Sequence, residues 1–340
     1  MKSSEKEKYL GDYVTNKANS KETIKARTIR GNAIVSEMRA MLRDIPLGNR
    51  RTQIGLVLRQ AWFINGCFVN SEVWTGYAES NLDDLIVIDH SILRLITGSQ
   101  AKVPVEMLYL ETGQIPVKSI ISIRRILYLH NILNRHEDQL VRRIYSAMKE
   151  SPVKGDWIVM VKDDMSSLNM TLRDEDISAM GKKDFTVLVK RNMREKVFKD
   201  LEELKESHSK VRGMAHDNLR APQSYLTSGK FSNKLSSLLF NLRSHCVNEF
   251  RSNFQSSTQH ILCPVCKLSD DTQEHAILCE ALEKHMEKDH KSLLKSVKYV
   301  DIFGSPEEQL RITNTNSIII SVREKLREPQ QGLPGHNTGP

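Results

Sequence analysis

Apolar residues recur along this chain at three- and four-residue intervals almost throughout, the period of a helix with one buried face. Between residues 20 and 45, Ile34, Met38, Met41, Leu42 and Ile45 fall on one stripe, and Lys21, Lys25, Arg39 and Arg43 on another about a third of a turn away. Pro46 and Gly48 interrupt the pattern, and Asn49 can cap a second helix carrying Ile54, Val57, Leu58, Ala61 and Trp62. A third helix is expected over 81–97, with Gly98 suited to its C-terminal stop. Further helical segments are predicted from Pro104 to Leu110, over 117–133, through Leu140 to Met148 and after Asp156. Another begins at Asp174-Glu-Asp176, where negative charge favours a helix N-terminus. A long helix is predicted over 184–207, and a helix rich in leucine over 231–246. Ser305-Pro-Glu-Glu308 opens the last one, with a serine cap, proline at the first helical position and glutamate three residues on. Alternation of period two is confined to 9–15. The pattern predicts an all-α fold in which Trp62, Trp74, Trp157 and Tyr109 belong to the core.

Composition narrows the class. The 340 residues are 39% apolar and 27% charged, with a net charge of +8. That excess favours an acidic partner, nucleic acid first. There is no run of 18 apolar residues, so no membrane span is expected. The opening Met1-Lys-Ser-Ser-Glu-Lys-Glu-Lys8 lacks the apolar centre of a secretory signal. The five cysteines (Cys67, Cys246, Cys263, Cys266 and Cys279) are odd in number, and three of them cluster at ligand spacing. Such a set reads as reduced and metal-binding, not as a disulfide framework, and points to the nucleus or cytoplasm.

The most specific chemistry lies near the C-terminal end. Cys263-Pro-Val-Cys266 is followed by eight residues, His275, three residues and Cys279. Two cysteines two residues apart can pinch one tetrahedral ion, and His275 and Cys279, as i and i+4, share one face of a helix. Four N/S ligands leave no open position, so the expectation is structural Zn²⁺ supporting folding rather than catalysis. The plainer alternative is a small buried cysteine cluster beside a surface histidine. Asp270-Asp271 suit a turn, Thr272-Gln-Glu274 can start the helix, and Ile277 and Leu278 would pack it down. His285 or His290 could replace Cys279 as fourth ligand; His260 is a weaker substitute.

Basic residues gather elsewhere. Residues 21–59 hold nine Lys/Arg against three Asp/Glu. Arg124, Arg125, Arg142 and Arg143 form two pairs on adjacent helices, and Lys182, Lys183, Lys190, Arg191, Arg194 and Lys196 load the start of the long helix. Each cluster is either a solvated face or a phosphate-binding one. The aspartate pairs at Asp83-Asp84, Asp163-Asp164 and Asp270-Asp271 lack strand-like flanks, and there is no glycine-rich phosphate loop, G-x-S-x-G or H-E-x-x-H. No catalytic site is expected.

Several phrases then resemble one family. Lys8-Tyr-Leu-Gly-Asp12 resembles the Y-L-G segment that follows the palm motifs of reverse transcriptases. The run Asp44-Ile-Pro-Leu-Gly-Asn-Arg-Arg51, with Leu58-Arg-Gln-Ala61, Asn65-Gly66 and Asn70-Ser-Glu-Val-Trp74, resembles the thumb of non-LTR (LINE-type) retrotransposon polyproteins. Leu108-Tyr-Leu-Glu-Thr-Gly-Gln-Ile-Pro116 with Arg124-Arg125 continues it, as do Asp271-Thr-Gln-Glu-His275 and Tyr299-Val-Asp-Ile-Phe-Gly304. The resemblance covers most of the chain, and the C-x2-C-x8-H-x3-C run is its most specific part. It implies the portion of such a polyprotein from the end of the palm onward, without the palm's F/Y-x-D-D motif and so without polymerase activity of its own. Thumb helices in that family grip template–primer duplex by its backbone, which makes Arg50, Arg51 and Arg59 the first candidates for contact and Arg124, Arg125, Lys190, Arg191 and Arg194 further ones.

The expected layout is a thumb-like helical region over 1–150, a helical linker over 151–229, a helical region over 230–328 containing the zinc module at 263–279, and a disordered tail over 329–340. The leading expectation for function is non-catalytic, largely sequence-independent binding of DNA or RNA. The alternative is a protein-interaction scaffold, or a subunit that docks on a separately encoded, palm-containing polymerase.

Overall fold

In the computed structural model, which describes residues 6–9, 12–15, 19–43, 50–207, 221–250 and 261–327, the apolar period of three to four becomes helix after helix. The fold is all-α, as the pattern predicts. A hairpin of β1 (Lys6–Tyr9) and β2 (Asp12–Thr15), with Lys6 opposite Thr15, takes up the stretch of period two. Then come α1 (Lys21–Arg43), α2 (Arg50–Leu58), a π-helical turn at Arg59–Ile64, α3 (Asn65–Cys67), α4 (Asp83–Thr97), α5 (Val105–Thr112) and α6 (Val117–Leu133). The middle holds α7 (Leu140–Glu150), α8 (Trp157–Ser167), α9 (Asp174–Ala179) and α10 (Lys182–Ser207). The last part holds α11 (Ser224–Thr227), α12 (Asn233–Arg243), α13 (Gln273–Leu278), α14 (Glu280–Glu283), α15 (Lys288–Lys295) and α16 (Pro306–Arg327). Leu10 and Gly11 of the Y-L-G segment, residues 44–49, most of the polar stretch 210–229, His260 and the tail 329–340 lie outside the described residues.

The helix ends follow their local chemistry. Gly98 closes α4 at φ +66°, the left-handed geometry that glycine adopts without a Cβ clash. At α16, Ser305 Oγ accepts from the Glu308 N–H while Glu308 Oε2 accepts from the Ser305 N–H at 2.7 Å, a reciprocal capping box. Gly113 ends α5 at φ +61°, and a Cβ there would stand 2.5 Å from the Ala221 carbonyl carbon, so only glycine fits.

Two apolar clusters fill the interior. The first joins α1, α2, the π-turn and α4 through Ile34, Met38, Phe63, Phe68, Trp74, Leu85 and Ile92, all essentially without solvent exposure. The second runs continuously from Leu93 and Met107 through Phe185 and Val189 to Leu239, Phe250, Ile312 and Ile319, so residues on either side of 150 and of 229 share one core. Trp74, Trp157 and Tyr109 are buried as expected, while Trp62 is half-buried. Met41 is 45% exposed, on the solvent edge of the α1 stripe.

Four arginine–carboxylate pairs cross this interior. Arg59 meets Asp89 at 2.6 Å, with Tyr109 donating to the same carboxylate. Arg125 meets Asp164 at 2.5 Å, and Arg323 meets Asp271 at 2.5 Å. Arg243 donates to Glu111 at 2.9 Å and to the Ile302 carbonyl at 2.8 Å, and Tyr225 donates to the other Glu111 oxygen at 2.7 Å. Its guanidinium also lies 4.8 Å from the centre of the Phe303 ring. In each pair the opposite charge offsets the cost of burial, and removing one member would strand the other.

Candidate metal centre and basic faces

The metal-ligating residues are set by a short hairpin followed by a helix break. Leu262 and Asp270 form an isolated antiparallel bridge, tied by Cys263 N–H to Ser269 O and Asp271 N–H to Ile261 O, each at 2.7 Å. Between them Cys263–Lys267 turns tightly: Lys267 N–H donates to Cys263 O at 2.9 Å, and Lys267 itself sits at φ +57°. This turn aims both thiols to one side, and Leu268 N–H donates to Cys266 Sγ at 3.4 Å. Thr272 then caps α13, its hydroxyl accepting from the His275 N–H at 3.0 Å.

Ligand atoms of Cys263, Cys266, His275 and Cys279 all lie within 4.8 Å of one another, and Cys266 Sγ is 3.3 Å from His275 Nε2. Cys263 and Cys279 are buried; Cys266 and His275 are half-buried. The group can hold a metal ion, and three sulfurs with one imidazole match the donors of a closed tetrahedral site. His285 and His290 are not among the gathered ligands, and His285 is exposed.

Two details differ from the sequence expectation. His275 and Cys279 do not share a helix, because α13 stops at Leu278 and Cys279 is extended at φ −76°, ψ 99°. The Cys279 carbonyl instead accepts from Leu282 and Glu283 N–H at 3.0 and 3.1 Å, starting α14, and the break still swings its thiol toward the other three. Ile277 packs inward, but Leu278 is 78% exposed.

The thiols are unequal. Desolvation raises Cys266, but backbone N–H groups of Leu268 and Ser269, with His275 and Cys263, pull it down to about 6. Desolvation pushes Cys279 up to about 11, helped by the neighbouring Cys263 and Cys266. A cation at the centre reverses that repulsion and takes the proton's place.

The support around the site was missed in the sequence. Asp271, expected simply to suit a turn, is fully buried against Arg323 of α16, which also donates to Glu249 O at 3.1 Å and lies over Phe250. Gln273, also fully buried, donates to Leu242 O at 2.8 Å and to the Tyr299 hydroxyl, holding α13 on α12. The available signal was an acid and an amide within a module otherwise exposed at its tips; their partners lie 52 and 31 residues away.

The structure sorts the basic candidates. Arg59 and Arg125 are 1% and 3% exposed and committed to Asp89 and Asp164, so their charges are balanced within the fold. Arg51 is half-buried and donates to Leu95 O at 2.9 Å. Arg124 is half-buried, donating to the Phe68 carbonyl and to Ile64 O. Desolvation lowers its pKa, with Glu72 opposing. Arg50 begins α2, its side chain outside the described residues. Lys190 and Arg191 are exposed on α10 and Arg194 is half-buried.

A cleft of about 350 Å³ opens between the π-turn, α6 and α10, lined by Arg59, Arg124, Lys190 and Arg194 with Gln60 and Gln114. A second depression shares Arg124 and Leu127 with it and adds Lys182 and Glu72. No helix among the described residues is long and apolar enough to cross a membrane. Compared with known proteins, this chain matches no family model, no curated protein and no solved structure.

Proposed function

We propose that this chain binds nucleic acid through its phosphate backbone, using the first half of α10 and the adjoining α6 edge, while a structural Zn²⁺ at Cys263, Cys266, His275 and Cys279 orders its C-terminal part. The observation that carries this reading is the charge on α10. Residues 182–194 hold five cations and a single acid, Asp184. Lys182, Lys183, Lys190 and Arg191 are exposed, and none of the four is in an ion pair among the described residues. Further along the same helix the cations are neutralised instead, Lys196 by Asp200 at 2.5 Å and Lys199 by Glu203 at 3.8 Å. Unpaired cations on one rigid rod suit regularly spaced phosphates and carry no base readout. The resemblance to the thumb and finger of a LINE-type reverse transcriptase agrees with this reading, which assigns the chain no polymerase chemistry.

With about five phosphates neutralised, affinity for duplex should fall roughly 10²–10³-fold between 50 and 200 mM salt. Filter retention of the purified chain across that range tests it, and a flat response removes the proposal.

A second reading, docking on a palm-containing polymerase, is favoured by α7. Leu140 and Ile144 lie one turn apart on it, 70% and 49% exposed. Co-elution with such a polymerase that Leu140→Lys abolishes would support it.

A further inference from the structure

We propose that the metal module pairs with the same module of a second copy of this chain, Leu268 of each copy entering a cavity of the other. The inference goes beyond the nucleic-acid reading and shares with it only the metal module. Leu268 is the most exposed large apolar residue among the described ones, at 85%. Its backbone is fixed on both sides. Leu268 N–H donates to Cys266 Sγ at 3.4 Å, Ser269 O accepts from the Cys263 N–H at 2.7 Å, and Lys267 sits at φ +57°. An apolar side chain gains by leaving water, and one presented on a set backbone has less freedom to lose on docking.

The same module carries an apolar hole. A cavity of about 220 Å³ opens between the α13–α14 break and α15. Ile277, Leu294 and Val297 are its buried lining, and Leu278, 78% exposed, stands beside them. The cavity is smaller than the ~300 Å³ at which small-molecule pockets begin, a size suited to a side chain. Leu268 of the same chain does not line it.

The charges select the occupant. Lys267 adjoins the protruding leucine, and Glu280 lines the cavity. Both are exposed, and neither has an ion-pair partner among the described residues. The other two charges at the cavity, Glu283 and Lys295, already neutralise each other at 3.1 Å. A second copy that inserts its Leu268 brings its Lys267 to the free Glu280. A twofold axis makes this contact twice, each copy giving a leucine and a lysine and receiving both. An interface of this extent belongs with transient pairs, not obligate ones.

Sedimentation equilibrium of the full, zinc-loaded chain across the micromolar range tests the proposal and should show a reversible monomer–dimer equilibrium. Leu268→Asp, at a solvent-exposed position, should weaken dimerisation at least about tenfold with zinc content unchanged. Lys267→Glu and Glu280→Lys should each remain monomeric alone, because each sets like charges together at both contacts. Mixed in equal amounts, the two variants should pair, since every contact then joins a glutamate to a lysine. Zinc stoichiometry and duplex retention, read on the same samples, report on the metal site and on α10 separately. A parent chain that is monomeric throughout, assembly beyond the dimer, a dimer indifferent to Leu268→Asp, or a mixture of the two charge variants that stays monomeric overturns the proposal.

Discussion

Replacing Asp271 by asparagine tests how the candidate metal hairpin is anchored. The carboxylate is 0% exposed and its partner Arg323 is 1% exposed, 2.5 Å away. The substitution keeps shape and removes charge. Arg323 would retain the Glu249 carbonyl at 3.1 Å and the face of Phe250 at 5.0 Å, but its Nε and Nη1 already have no hydrogen-bond partner. Stranding a buried cation in this way costs about 3–5 kcal/mol, a large part of the ~5–15 kcal/mol typical of a folded chain. Asp271 lies between Cys266 and His275, so loss of its anchor also loosens the ligand set. If ~3 kcal/mol of that cost falls on the hairpin, zinc affinity drops about 10²-fold. Urea denaturation with zinc and with chelator, together with competition against a colorimetric zinc indicator, measures both effects. The double variant Asp271→Leu with Arg323→Met, which removes both charges, should recover most of the stability. A single variant within about 1 kcal/mol of the parent, well short of the ~3–5 kcal/mol expected for a broken buried pair, would refute this reasoning.

Cys263→Ser and Cys279→Ser should each abolish stoichiometric zinc by elemental analysis, whereas His285→Ala should leave it unchanged; zinc loss in the last would overturn the ligand assignment. Metal loading should release protons, since Cys279 holds its own up to about 11, and zinc affinity should fall as pH drops; an indicator titration insensitive to pH between 5 and 8 would contradict this. Gly113→Ala should destabilise by about 2 kcal/mol or more, because its positive φ and the 2.5 Å approach to Ala221 backbone both resist a Cβ; a melting temperature matching the parent would count against that geometry.

Much of the helical layout was legible because it depends on neighbours. The apolar stripe of α1, the glycine stop of α4 and the Ser305 box of α16 each rest on residues within one or two turns. The ligand set was legible for the same reason, being confined to 17 positions from Cys263 to Cys279. What escaped the sequence was which charges go inside. Arg59, Arg125 and Asp271 look like their exposed counterparts until partners 30, 39 and 52 residues away are in place. The end of α13 was misjudged because i and i+4 spacing fits a continuing helix and a broken one equally well. The π-turn left no mark that periodicity could separate from ordinary helix.

The pairing of Glu111 with Arg243 bears on how the polypeptide is made. The two positions are 132 residues apart. At ~5–20 residues per second, the ribosome delivers the arginine on the order of ten seconds after the acid. Throughout that interval, burying α5 in its final surroundings would desolvate the Glu111 carboxylate without the guanidinium that balances it in the finished fold, a cost that falls away once α12 is made.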